Sequence, residues 1–208
     1  MRRLRLLTGG ESHGPRLTAV LAGLPAGLEL DRERIDDWLG RRQHGFGRGG
    51  RQRIEKDRVV VTGGLRNGRT MGGPLVLELE NRDWKNWSDV MDPWVTDPVQ
   101  SDKRAVTRPR PGHADYSGGA ATDQLVDMRN VLERASARET GARVMAGAVC
   151  AQLLERFGIA FRSAVLQLGP HVVTEGPPSW DGLAGVRHDS PLVTPRPDRE
   201  EELVEAVR

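Results

Sequence analysis

Residues 136–157 constrain the fold of this 208-residue chain more than any other segment. Ser136 and Glu139 have the spacing of a capping box, and Gly158 is a natural stop after the last turn. Small residues recur between these ends: Ala137, Gly141, Ala142, Ala146, Gly147, Ala148 and Ala151. Because small side chains let other backbones come close, the sequence predicts a core helix with neighbouring elements packed tightly around it.

Short apolar runs, several of them alternating with polar residues, predict strands before and after this helix. They cover residues 3–6, 17–21, 58–62, 75–80 and 159–168. Asn67-Gly68 predicts a hairpin between two of them. Asp31 can cap a helix with an apolar stripe at Ile35, Trp38 and Leu39. This mixture of elements predicts an α/β (α+β) fold.

Residues 81–119 show no periodicity, although Trp84, Trp87 and Trp94 lie among them. Loops of this length usually cover or build a site, so we predict a functional loop with His113 near its far end. Disorder is the alternative, and the tryptophans argue against it because disordered segments are poor in aromatic residues.

The last residues, 198–208, predict a helix with Leu203, Val204 and Val207 on one face. The chain stops while this amphipathic pattern is still running, with no glycine or proline to end it. We infer a truncated product, so that residues 1–208 form the amino-terminal part of a single domain. A frayed natural terminus is the alternative interpretation.

Several functional classes are disfavoured by the composition. No apolar run approaches the roughly 20 residues that span a bilayer, and the amino terminus lacks a signal-peptide core. We therefore expect a cytoplasmic protein without membrane partners. Cys150 is the single cysteine, which excludes an internal disulfide and a cysteine-cluster metal site. The five histidines show no metal-ligand spacing, so no metal is expected.

Arginine dominates the basic residues, since only Lys56, Lys85 and Lys103 are lysines. Residues 41–53 concentrate five arginines among four glycines. Guanidinium forks and exposed backbone N–H groups suit a small molecule with several acidic groups. A nucleic-acid patch is one alternative, although the cluster occurs once and contains a single aromatic residue, Phe46. A merely solvated basic loop is the other.

Two histidines lie in glycine-containing segments, His13 in residues 10–14 (Gly-Glu-Ser-His-Gly) and His113 in residues 110–115 (Arg-Pro-Gly-His-Ala-Asp). Imidazole titrates nearest neutrality, and glycine lets the backbone approach a ligand, so both segments are candidates for proton transfer. Ser12 beside His13 also suggests a nucleophile, but neighbours in sequence rarely form a working Ser-His pair. Ordinary turn histidines are the plain alternative.

Arg134-Ala135-Ser136 precedes the small-residue helix. Unpaired N–H groups and the helix dipole favour an anion or an electron-rich ring edge there. Ordinary helix capping explains the same residues equally well.

Four segments, in this order and spacing, resemble the chorismate synthase family: residues 10–14, 42–48, 110–115 and 133–140. The resemblance implies a β-α-β sandwich with core helices packed between sheets, in a homotetramer. It also implies loss of phosphate from 5-enolpyruvylshikimate 3-phosphate by 1,4-anti elimination to give chorismate, the last step of the shikimate pathway. The family needs reduced FMN, and whether NADPH or an external reductant reduces that flavin is left open.

The resemblance also implies roles for individual residues. His13 would protonate the departing phosphate, and His113 would set the protonation of the flavin. The implied substrate ligands are Ser12, His13, Arg42, Arg48, Arg51 and Arg138. The implied cofactor ligands are Arg42 and Arg48 for NADPH, and Arg110, His113, Arg134, Ala135 and Ser136 for FMN. The family's carboxyl-terminal Lys-Pro-Thr-Ser-Ser and Arg-His-Asp-Pro motifs are absent, so the chain matches about half to two-thirds of the family's length. No nucleic-acid partner is expected.

Overall fold

A four-stranded antiparallel sheet forms the centre of the fold. The computed structural model describes residues 3–47, 56–94 and 103–207. The sheet strands are β1 (Arg5–Gly9), β2 (Arg16–Ala22), β3 (Val59–Gly63) and β6 (Leu75–Glu80), and they lie in the order β1-β2-β6-β3. Two small hairpins pair β4 (Leu65–Arg66) with β5 (Arg69–Thr70), and β7 (Gln167–Leu168) with β8 (His171–Val172).

Helices cover one face of this sheet. The α-helices are α1 (Arg32–Gln43), α2 (Ser88–Met91), α3 (Asp115–Thr122), α4 (Arg129–Arg134), α5 (Thr140–Glu155), α6 (Trp180–Ala184) and α7 (Glu200–Val207). Short 3-10 turns lie at Trp84–Asn86, Ala137–Glu139 and Pro197–Arg199. Helix α5 packs on β2 and β6, and α1 packs against α5. The mixed α/β (α+β) class predicted from the sequence is confirmed.

The core forms where alternating strand residues meet the small residues of α5. The strands contribute Leu17, Ala19, Leu21, Leu75, Leu77 and Leu79, all buried. Gly141 shows why the helix needs small residues, because a Cβ atom there would lie 2.9 Å from Leu79 Cδ1. Ala142, Met145 and Val149 continue the same buried stripe. The predicted core helix is therefore confirmed, with its α-helical part beginning at Thr140.

The start of that helix differs from the predicted capping box. The Ser136 side chain accepts from the backbone N–H of Arg138, two residues on. The Glu139 carboxylate does not return to Ser136 but accepts from Thr8 Oγ1 at 2.9 Å and from Arg143 Nε at 2.8 Å. A tertiary contact with β1 thus replaces the local one.

Two other local predictions have opposite outcomes. Asn67 and Gly68 adopt φ values of 52° and 70° between β4 and β5, so the predicted hairpin is confirmed. The strand predicted for residues 159–168 is wrong, since only Gln167–Leu168 pairs, with a neighbouring two-residue strand. Ile159 and Phe161 are exposed instead, and the described residues offer no strand beside them.

The long segment 81–119 is more regular than its sequence pattern predicts, since it contains α2, part of α3 and a 3-10 turn. These elements are too short to produce a visible period. The predicted terminal helix appears as α7. Within the described residues, no helix is long and apolar enough to cross a membrane.

Candidate active site

The turn between β1 and β2 carries Ser12 and His13, and hydrogen bonds with two distant residues hold it in place. Gly10 begins the turn with a φ of 95°. The Ser12 backbone N–H donates to the Glu133 carbonyl of α4 at 3.1 Å. On the other side, Asn81 Nδ2 donates to the Gly14 carbonyl at 2.7 Å. The turn is therefore fixed at the end of the sheet.

A buried carboxylate orients the ring of His13. Glu133 has a fully buried side chain, and its Oε1 lies 2.8 Å from His13 Nδ1. Its Oε2 accepts the His13 backbone N–H at 2.7 Å. Burial alone would raise the pKa of Glu133, but hydrogen bonds from His13 and Arg129 outweigh it and hold that pKa below its usual value.

An aromatic ring covers the same histidine, and two guanidinium groups contact that ring or the Glu133 carboxylate. Trp87 stacks on the His13 ring with centroids 3.7 Å apart and planes at 27°. Arg104 lies over the Trp87 ring at 3.8 Å. Arg129 Nη1 donates to Glu133 Oε1 at 3.2 Å, and its other nitrogens donate to the Arg104 carbonyl. His13 is thus held at its edge and across its face.

The structure joins the first and fourth sequence motifs directly. Ser136 Oγ donates to Ser12 Oγ at 2.9 Å. Arg134 Nη1 donates to the Gly10 carbonyl at 2.9 Å, while the Ala135 side chain is exposed beside it. The residues predicted for FMN at positions 134–136 therefore lie next to Ser12 and His13.

Two of the predicted substrate arginines share one internal carboxylate. Arg138 Nη1 lies 2.6 Å from Asp57 Oδ2, and Arg42 Nη1 lies 3.5 Å from the same oxygen. Arg42 also donates to Thr140 Oγ1 at 2.9 Å. These contacts bring Arg42 and Arg138 together at the start of α5, and their role toward substrate stays a prediction. The predicted ligands Arg48 and Arg51 lie outside the described residues.

His113 lies on a separate loop that leads into α3. Its side chain is exposed, with Nδ1 3.1 Å from the Pro111 carbonyl. Arg110 makes a bidentate ion pair with the fully buried Asp115, at 2.8 Å and 2.9 Å. Helix α3 packs against α4, where a Cβ on Gly118 would collide with Val131. The described contacts thus connect the His113 loop to the helix of Glu133, but do not join the two histidines directly.

The Arg110–Asp115 pair predicts a pH-dependent stability. The Arg110 hydrogen bonds, opposed by burial, hold the pKa of Asp115 well below its usual range. The pKa of Asp115 is lower in the folded protein than in the unfolded chain, where it is about 4. The ionised carboxylate therefore stabilises the folded state fully at pH values above the unfolded-state pKa, and this stabilisation is lost as the pH falls through the folded-state pKa. Asp115→Asn should therefore lower the free energy of unfolding by about 1–3 kcal/mol at neutral pH. The difference in unfolding free energy between the variant and the wild type should become smaller in acid.

Urea unfolding at a series of pH values checks this expectation. Asp198→Asn is the matched control, because Asp198 pairs with Arg196 on the surface and should show a much smaller difference. A constant gap between wild type and Asp115→Asn from neutral to acid pH would contradict the linkage.

Three site residues escaped prediction from the sequence. Glu133 is the first residue of the segment 133–140, but no sequence pattern assigns it a role. Trp87 is one of several aromatic residues in a segment without periodicity, and Asp57 belongs to no motif. Each acts through a partner distant in sequence, as Glu133 does with His13 at a separation of 120 residues. Within the described ranges, no group of three His, Cys, Asp or Glu side chains could hold a metal ion.

The fold and site define an α+β protein with a histidine held by a buried carboxylate, a pairing typical of enzymes that use acid–base chemistry. The sequence model of one family, described as chorismate synthase, matches residues 4–208. The chain belongs to the chorismate synthase family.

Individual relatives agree with this family. Chorismate synthase of Geobacillus kaustophilus is 48% identical over 205 residues, which cover 98% of this chain and 53% of the relative. Chorismate synthase of Aquifex aeolicus is 47% identical over 211 residues, which cover 98% of this chain and 52% of the relative. A crystal structure of chorismate synthase is similar with a TM-score of 0.76 at 37% identity, covering all of this chain and 53% of that one. The chain spans about half the length of the curated relatives it matches.

Proposed function

We propose that the protein containing this chain is a chorismate synthase, which converts 5-enolpyruvylshikimate 3-phosphate to chorismate and phosphate by 1,4-anti elimination. The observation that supports this most is His13, oriented by Glu133 at a polar turn in a member of this family. On this proposal the protein acts in the cytoplasm, in aromatic amino acid biosynthesis, as a homotetramer.

His13 supplies the proton that the leaving phosphate takes up. In its protonated form the ring donates from Nε2, because Nδ1 is engaged by Glu133. No covalent intermediate with the protein is needed in an elimination, so Ser12 acts as a hydroxyl ligand to the substrate rather than as a nucleophile. Its hydroxyl contact with Ser136 places it beside the proposed flavin residues.

The residues proposed for reduced FMN have side chains whose chemistry suits a flavin. Arg110 and Arg134 are exposed guanidiniums. Each can offer N–H donors beyond those that bond to Asp115, in the case of Arg110, or to Gly10 and Thr8, in the case of Arg134. Ala135 and Ser136 add a small and a polar group beside Arg134, and His113 would add a polar group from the loop that leads into α3. Reduced FMN, when bound, supplies the transient electron donation that assists loss of the ring C6 hydrogen. His113 would set the protonation of the bound flavin.

Arg42, Arg48, Arg51 and Arg138 would complete the site as ligands to the substrate's phosphate and carboxylates, since guanidinium forks match these groups. Arg42 and Arg48 are also the proposed contacts to NADPH, which would reduce the flavin. The Asp57 carboxylate fixes Arg42 and Arg138 in advance, which lowers the entropy lost when an anion binds.

Turnover under anaerobic conditions tests the proposal. The full-length gene product that contains this chain, incubated with reduced FMN and 5-enolpyruvylshikimate 3-phosphate, should release chorismate and phosphate in equal amounts. The Geobacillus kaustophilus relative, prepared in parallel, validates the assay. A folded preparation that binds reduced FMN yet forms no chorismate would overturn the proposal.

A further inference from the structure

We propose that Glu133 is a positioning residue, which fixes the ring tautomer of His13 and aims Nε2 into the active site. The part concerning turnover rests on the function proposed above, whereas the part concerning the tautomer does not. The Glu133 side chain is fully buried, so we assign it an indirect role, exerted through the His13 ring that it contacts.

The contacts of the carboxylate determine which ring nitrogen carries hydrogen. An ionised carboxylate only accepts hydrogen bonds, and the pKa of Glu133 lies below its usual value, so the group is ionised at neutral pH. His13 Nδ1 lies 2.8 Å and 3.0 Å from the two Glu133 oxygens. Nδ1 must therefore be the donor, and Nε2 is the position at which the ring gains or loses its second proton.

The ring is also prevented from turning away from this contact. Glu133 Oε2 accepts the His13 backbone N–H at 2.7 Å, so one carboxylate fixes both the backbone and the ring. Trp87 covers the ring face at 3.7 Å, and its Nε1 donates to Asp83 at 3.0 Å, which anchors the indole. Among the described residues, nothing hydrogen-bonds to His13 Nε2. We therefore assign Nε2 as the ring nitrogen that serves the proposed ligand.

Charge balance makes the arrangement suited to a proton donor. Arg129 neutralises part of the Glu133 charge at 3.2 Å, so the buried carboxylate is paired even when His13 is neutral. When His13 is protonated, Glu133 stabilises the imidazolium without taking its proton. His13 must donate a proton from Nε2 and then regain one. A partner that keeps the hydrogen on Nδ1 in place during this exchange favours both steps.

Nitrogen NMR of the histidine side chains tests the tautomer directly in the 208-residue chain. At a pH where the ring is neutral, wild-type His13 should be the Nδ1–H form, assigned by loss of its signals in His13→Gln. Glu133→Gln should make that form minor, because the amide has a single acceptor oxygen and an NH2 group that repels a donor. Glu133→Asp should keep part of the Nδ1–H population of His13.

Glu200→Gln is the matched control. Glu200 is also a buried carboxylate, held by Arg187 at 2.7 Å and by the Ser190 hydroxyl, but it lies on α7 and has no described contact with His13. Its loss should leave the His13 tautomer unchanged. An Nε2–H form in wild type would overturn the proposal without any variant, and so would an unaltered Nδ1–H form in Glu133→Gln.

Kinetics of the full-length gene product give the second readout. Glu133→Gln should lower kcat about 100-fold, the usual contribution of an oriented general acid, with KM changed less than about threefold. Glu133→Asp should recover part of kcat, which a merely structural role would not predict. Wild type without turnover would refute the proposed function but leave the tautomer result standing; a normal kcat in Glu133→Gln would refute the positioning role alone.

Discussion

Replacing Gly10 by alanine is expected to destabilise the protein by about 3 kcal/mol or more. Gly10 has a φ of 95°, a conformation that residues with a Cβ rarely adopt. A Cβ atom there would lie far inside contact distance of the Arg16 carbonyl oxygen and 3.0 Å from the Leu17 Cα. Both neighbours are backbone atoms of β2, so relief of the clash requires moving a strand of the central sheet.

Urea unfolding monitored by far-UV circular dichroism measures this cost. Gly9→Ala is the matched control, because Gly9 is the adjacent residue in β1 and a Cβ there meets no heavy atom within 4 Å. We expect a change below about 1 kcal/mol for Gly9→Ala. Equal midpoints for the two variants would show that the turn can relax around a side chain at Gly10.

Two apolar segments show how much of the fold the sequence could predict. Alternation in β6 (Leu75–Glu80) predicts its bounds because every second side chain enters the core opposite α5. Residues 159–168 are equally apolar, yet most of them form no strand, since a strand also needs a partner edge. Pairing depends on distant segments, and no local pattern reports it.

The candidate site divides in a similar way. His13 could be predicted because the glycines around it mark a turn where a backbone approaches a ligand closely. Glu133 could not be predicted, since only the packing of α4 against the turn brings it to the ring. An arginine count predicts anion binding but does not separate ligand arginines from those paired internally. Arg42 and Arg138 both pair internally with Asp57, and the arginine count gave no sign of this pairing.

The buried pair of Arg138 and Asp57 gives the second large effect. The two side chains are 5% and 2% exposed, and they join the 3-10 turn that precedes α5 to the segment that leads into β3. Arg138→Met removes the closer charge and leaves the Asp57 carboxylate buried, with Arg42 at 3.5 Å. Removal of one partner from such a pair costs about 3–5 kcal/mol, because the remaining ion has lost its hydration and most of its compensation.

A double-mutant cycle separates the pair from its surroundings. Asp57→Asn with Arg138→Met should cost less than the sum of the single variants, since the neutral amide no longer needs a counter-charge. Arg34→Met is the matched control: Arg34 pairs with Glu155 in an exposed position, where such pairs contribute about 1 kcal/mol or less. If urea unfolding gave the same loss for Arg138→Met as for Arg34→Met, the buried pair would contribute no more than a surface one. Its importance would then lie in holding Arg138 for an anion rather than in joining α5 to the sheet.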